Sequence, residues 1–187
     1  ILIPSFKSQH VWEYNFDHPA QSIFSVLITL PLSQSVAKSI IQQILKAFGN
    51  IQSQLKFKSM SFIIKSHPIN VIKDMIAIFP HLPEAFVFSE EKSFPKLLQK
   101  SSLLITEASG TCLEALACGV PVIIVENVEG LTYDPVPSSI PAAIVKRTRT
   151  TKQLAEAILY YVNTTKFQLT ELKQIGKKVR TDYFEPL

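Results

Sequence analysis

The sequence lacks most of the features that would commit it to metal, disulfide or membrane chemistry. It has two cysteines, Cys112 and Cys118, six positions apart on one short predicted helix. That spacing puts them on different faces, so a disulfide would require unwinding. Free thiols fit a reducing, cytoplasmic compartment. No apolar run approaches the roughly 20 residues that a bilayer-crossing helix needs. There is no His/Cys metal-ligand spacing, no Walker-type Gly-Lys-Thr and no Gly-x-Ser-x-Gly elbow, which disfavours metal, P-loop and serine-hydrolase chemistry. Internal repeats and low-complexity segments are absent. Neither charge sign dominates: 19 Lys and Arg stand against 15 Asp and Glu, a formal net charge of +4. The basic residues are not interleaved with aromatics, which argues against a nucleic-acid groove. Their densest group, Lys166, Lys173, Lys177, Lys178 and Arg180, reads as a solvated helix face. The functional alternative for that group is contact with an anionic ligand or the inner face of a membrane.

What the chain does have is core-forming material. Its 187 residues are 47% apolar, enough for one domain or one lobe of a larger enzyme. The opening Ile1-Leu2-Ile3-Pro4-Ser5 carries no initiator Met and no charged leader, which points to a piece of a longer protein. Runs rich in Val, Ile and Phe predict strands at 23–30, 62–65, 85–88, 103–105, 122–125 and 143–145. Helical spacing predicts helices at 35–48, 70–79, 94–100, 112–118 and 151–162, with Gly49-Asn50 stopping the first. The alternation implies an α/β fold, a Rossmann-like doubly wound parallel sheet of about six strands with helices on both faces. This domain is assigned to 21–163, and 164–187 to a C-terminal helix and tail. Residues 1–20, with Trp12, Tyr14 and Phe16, have no assigned element and are read as packing on a missing N-terminal lobe.

In such sheets a ligand sits beyond the carboxyl ends of the strands, where the strand order reverses. With the usual order 3-2-1-4-5-6, the loops after the first and fourth strands flank that point. The fourth is followed by Ser109-Gly110-Thr111-Cys112-Leu113-Glu114-Ala115-Leu116-Ala117-Cys118-Gly119-Val120-Pro121. Gly110 permits close backbone approach, and Ser109 and Thr111 add hydroxyls beside the free amides of a helix start, a combination suited to a diphosphate. Thr111-x-x-Glu114 is equally a capping box, in which Glu114 reaches back to the Thr111 amide. Ala115, Ala117 and Gly119 read as packing residues, with Gly119 and Pro121 ending the helix. Cys112 lies in the first turn, where a thiol pKa can fall, but no base partners it, and it reads as a buried small residue.

A second candidate is Lys65-Ser66-His67-Pro68 at the end of the second strand, where Lys65 supplies charge and His67 can polarise a leaving oxygen. A third is the Pro-rich loop 127–141, unusually long for a compact domain; with Glu126 it contributes Glu129 and Asp134, suited either to sugar hydroxyls or simply to solvent. His10, His18 and His81 show no partners in the sequence.

These residues resemble the C-terminal, nucleotide-sugar-binding half of GT-B-type glycosyltransferases, most closely those of bacterial surface and capsular carbohydrate synthesis. The resemblance covers roughly 22–163 in layout and is sharp in two segments, Lys65 to Pro68 and Ser109 to Pro121. It implies that Ser109, Gly110 and Thr111 contact the donor phosphates and that Glu114 holds the ribose hydroxyls. His67 and Pro68 are similar to a pair used against CMP-linked donors, so a CMP- or UDP-linked sugar is implied, with no other cofactor. The implied acceptor, a saccharide or lipid-linked saccharide, would be activated from the N-terminal lobe. Retaining members carry a second glutamate upstream; here that position is Thr106, and the nearby acid is Glu107. Two alternatives stand beside this reading: a non-hydrolysing nucleotide-sugar epimerase, and a non-catalytic interaction module on the same scaffold.

Overall fold

A computed structural model describes residues 5–16, 23–55, 59–70, 72–126 and 134–186. Six strands form one sheet: β1 (Phe24–Thr29), β2 (Met60–Lys65), β3 (Phe86–Phe88), β4 (Leu103–Thr106), β5 (Val122–Val125) and β6 (Val145–Thr148). Every pairing is parallel and the order is β3-β2-β1-β4-β5-β6, the doubly wound arrangement the sequence predicts. All residues of β4 and β5 are buried, as central strands covered on both faces must be.

Among the described residues, seven α-helices cover the faces: α1 (Ser5–Glu13), α2 (Gln34–Ile51), α3 (Ile72–Ile78), α4 (Phe94–Leu98), α5 (Thr111–Ala117), α6 (Thr151–Val162) and α7 (Lys166–Tyr183). One core lies between the sheet and α2, α3 and α6, around Val26, Ile28, Ile44, Phe62, Met75 and Ile158. On that side Phe62 stacks on Phe86 at 4.1 Å, and Phe48 meets both edge-on. The other core joins α1, α4, α5 and α7, around Leu27, Leu98, Leu104, Leu116, Leu172 and Phe184. Among the described residues, no helix is long and apolar enough to cross a membrane, and no group of three His, Cys, Asp or Glu could hold a metal ion.

Three elements differ from expectation. The first long helix does not stop at Gly49-Asn50; it runs on to Ile51, which is 1% exposed, because burying that side chain outweighs the cost of a helical glycine. The last strand lies at Val145–Thr148 rather than 143–145. Its Lys146 and Arg147 hide the strand pattern, yet Lys146 lays its ammonium over Tyr160 on one face while Arg147 bonds Asp134 on the other. The basic cluster is not uniformly solvated. Lys166, Lys177 and Lys178 are exposed, but Arg180 is buried, stacked 4.5 Å from the Phe16 ring centroid and 5.7 Å from that of Trp12. Burial lowers its pKa.

The described part of the N-terminal segment packs on the chain itself. Val11 is fully buried, and Trp12 donates its indole N–H to the Glu185 carbonyl at 2.5 Å. α7 crosses the end of α5 at two glycines. Gly119, with φ of 70°, closes α5, and a Cβ placed on Gly176 would lie 2.5 Å from the Gly119 backbone. Only glycine at position 176 lets the two segments come this close.

Candidate active site

Strand order reverses between β1 and β4, whose helices, α2 and α5, leave toward opposite faces. The crevice beyond their carboxyl ends has a hydroxyl pair at its base: Thr29 donates to Thr106 at 2.7 Å. Lys65 is in register with Thr29 on the other side, so Lys65, Thr29 and Thr106 form one row across three strands. Two strand spacings, about 10 Å, therefore separate the end of β2 from the end of β4, a span that a nucleotide phosphate and ribose can bridge.

On the β2 side, His67 Nδ1 accepts from the Ile69 amide at 3.3 Å, which leaves Nε2 as the ring's donor in the neutral form. Asn70 fixes this turn to the β1 loop by donating to the carbonyls of Leu32 at 3.1 Å and Pro31 at 3.4 Å. Ser66 is buried, and its hydroxyl has no partner among the described residues. The row of strand ends thus presents Lys65, whose ammonium makes no ion pair among the described residues, next to two loops stitched together by Asn70.

On the β4 side, Ser109 and Thr111 share a hydroxyl hydrogen bond of 2.6 Å. Gly110 lies between them with ordinary helical angles, φ −56° and ψ −26°, and a Cβ there would meet nothing within 4 Å. The glycine is therefore not required by the turn; what it provides is open space above the backbone. The capping box does not form. α5 begins at Thr111 with Gly110 as its cap and no side-chain cap bond, which shifts Glu114 one position too far to reach back. Its carboxylate instead meets His10 of α1, Nε2 to Oε2 3.0 Å, a partner that no sequence pattern reveals.

Cys112 is wholly buried, its thiol pushed up to about 11 by burial, and Cys118 reaches about 12 for the same reason. Neither is a nucleophile at neutral pH. At about pH 8 an aromatic disulfide reagent is expected to find no reactive thiol in the folded chain and two after guanidinium unfolding; rapid labelling before denaturation would show the packing to be wrong.

Of the sequence-derived site residues, Lys65 and His67 lie on one side of β1, and Ser109, Gly110, Thr111 and Glu114 on the other. Glu129 falls outside the described residues. On either side of it, Glu126 is paired with Arg149 and Asp134 with Arg147, so both acids are engaged by arginines in or next to β6. Thr29, Thr106, Asn70 and His10 were not singled out as site residues from the sequence. The two threonines carry one signal, a polar residue closing an apolar strand run at the switch point.

The doubly wound parallel sheet gives the chain a GT-B-like α/β fold. Its fold is shared with glycosyltransferase SnogD from Streptomyces nogalater (TM-score 0.61, 18% identity, 90% of this chain and 42% of that one). It is shared as well with a UDP-GlcNAc 2-epimerase from Methanocaldococcus jannaschii, solved with UDP-GlcNAc and UDP (0.55, 17%, 95% and 49%). A third similar structure is the wall teichoic acid polymerase TagF (0.54, 12%, 95% and 41%). The chain spans less than half the length of each. No curated protein is a significant sequence match. The family model for capsule polysaccharide biosynthesis proteins matches residues 33–170, and the chain belongs to that family.

Proposed function

We propose that this chain is the donor-binding lobe of a glycosyltransferase of surface polysaccharide synthesis, taking a CMP- or UDP-linked sugar. The observation that carries the reading is the pairing of the open Gly110 turn, flanked by two linked hydroxyls, with Lys65 and His67 across the switch point. Ser109, Thr111 and the first amides of α5 receive phosphate oxygens, and Lys65 supplies the compensating charge. His67 Nε2 donates to the oxygen that departs with the nucleotide, and Glu114 accepts from the ribose hydroxyls. Charge developing on the leaving phosphate is met by these groups without a protein-held metal. Glu129 is kept as a candidate contact for the donor sugar. The acceptor, a saccharide or lipid-linked saccharide, and the base that activates it belong to a second lobe.

The test is a titration of the chain with CMP, UDP and GDP, followed by thermal shift and by the amide resonance of Gly110. At a ligand concentration about a hundred times Kd, stabilisation of about 2.7 kcal/mol should raise Tm by about 5–10 °C. Ser109→Ala removes one hydrogen bond to a charged oxygen and should weaken binding about tenfold or more. An unmoved Gly110 resonance with all three nucleotides at millimolar levels would overturn the proposal. The epimerase reading draws on the same fold and separates from this one by product analysis, because an epimerase turns over its nucleotide sugar without an acceptor.

A further inference from the structure

We infer that His10 is a positioning residue for the ribose side of the site, acting through Glu114; this rests on the proposed role of Glu114. The imidazole comes from α1, an element far from the crevice in sequence, and its Nε2 lies 3.0 Å from Glu114 Oε2. Both side chains are mostly covered, 22% and 28% exposed, and the His10 nitrogen itself is shielded from solvent. The carboxylate stands at ion-pair distance yet off the line of a formed hydrogen bond. The two groups therefore touch without satisfying the nitrogen, and a small turn of the carboxylate would complete the bond.

Oε2 is the carboxylate oxygen that meets the imidazole. A glutamate that receives a vicinal diol must hold its carboxylate plane fixed, and a free side chain of this length loses rotamer freedom on ordering. His10 can supply that order in advance, because its own position is set by its neighbours. Val11 is fully buried, and Trp12 is bonded to the Glu185 carbonyl. The pair thus resembles a ligand carboxylate backed by an imidazole, with α1 as the bracket.

The test compares UDP and CMP with their 2′,3′-dideoxy counterparts on the full chain, by calorimetry, with thermal melts reporting on folding. His10→Ala should weaken binding of the ribonucleotides about fivefold and leave the dideoxy forms within about twofold. His10→Gln, whose amide can donate from near the Nε2 position, should recover most of the loss. In a Glu114→Ala background the His10 substitution should have no further effect. Equal weakening of both nucleotide forms, or of neither, overturns the inference. If Glu114→Ala discriminates ribose from dideoxyribose while His10→Ala and His10→Gln do not, His10 is structural and the Glu114 role stands. If Glu114→Ala itself fails to discriminate, both fall together.

Discussion

Gly176→Ala is expected to destabilise the chain by about 3 kcal/mol or more, a fall in Tm of about 6–12 °C, although it adds a single methyl group. The new Cβ would sit 2.5 Å from both N and Cα of Gly119 and 3.0 Å from the Leu116 carbonyl oxygen, all of them backbone atoms that cannot rotate aside. Gly119 has no room to retreat. Its own Cβ position already meets Phe16 at 3.0 Å and the Lys173 Cα at 3.2 Å, and its φ of 70° is a conformation other residues avoid. The strain therefore passes to the whole of α7, and through Gly119 to α5. Gly49→Ala is the natural contrast. That glycine is exposed within α2 and a Cβ there meets nothing within 4 Å, so alanine should add about 0.5–1 kcal/mol through helix propensity. Denaturant melts of the two variants, one clearly lowered and one slightly raised, check the claim; similar midpoints would refute it.

The second large effect is on binding. Gly110→Leu should leave the fold nearly intact, costing at most about 1 kcal/mol at a cap position, because φ −56° suits any residue and the space above is open. The same side chain then fills the place where a phosphate is proposed to approach the α5 amides, and nucleotide affinity should drop more than about tenfold. A melt and a binding isotherm on the same sample separate the outcomes. An unchanged isotherm would mean that no ligand comes close to this backbone.

The central strands were readable from the sequence because strands buried on both faces are continuous apolar runs, and the order followed from their alternation with helices. The departures have particular causes. Gly49 carries a stop signal that the burial of Ile51 overrides, and β6 is an edge strand whose Lys146 and Arg147 find partners of their own. The N-terminal helix is invisible to periodicity because its order comes from Arg180, Glu185 and the aromatics it meets only in three dimensions. The site divides in the same way. Ser109 to Glu114 and Lys65 to Pro68 were legible as local patterns at strand ends. The Thr29–Thr106 hydroxyl bond joins residues 77 positions apart, and the His10–Glu114 contact joins the first described helix to one past the middle of the chain. The capping-box pattern at Thr111 was local too, and it failed because the helix starts one residue earlier than that box requires.

The contact between Trp12 and Glu185 has a mechanical consequence. The first and last described segments lie side by side on one face of the sheet, so tension applied through them runs directly across that contact and along the α1 and α7 packing. Such tension meets the α1–α7 contact before it meets the hydrogen bonds between the strands.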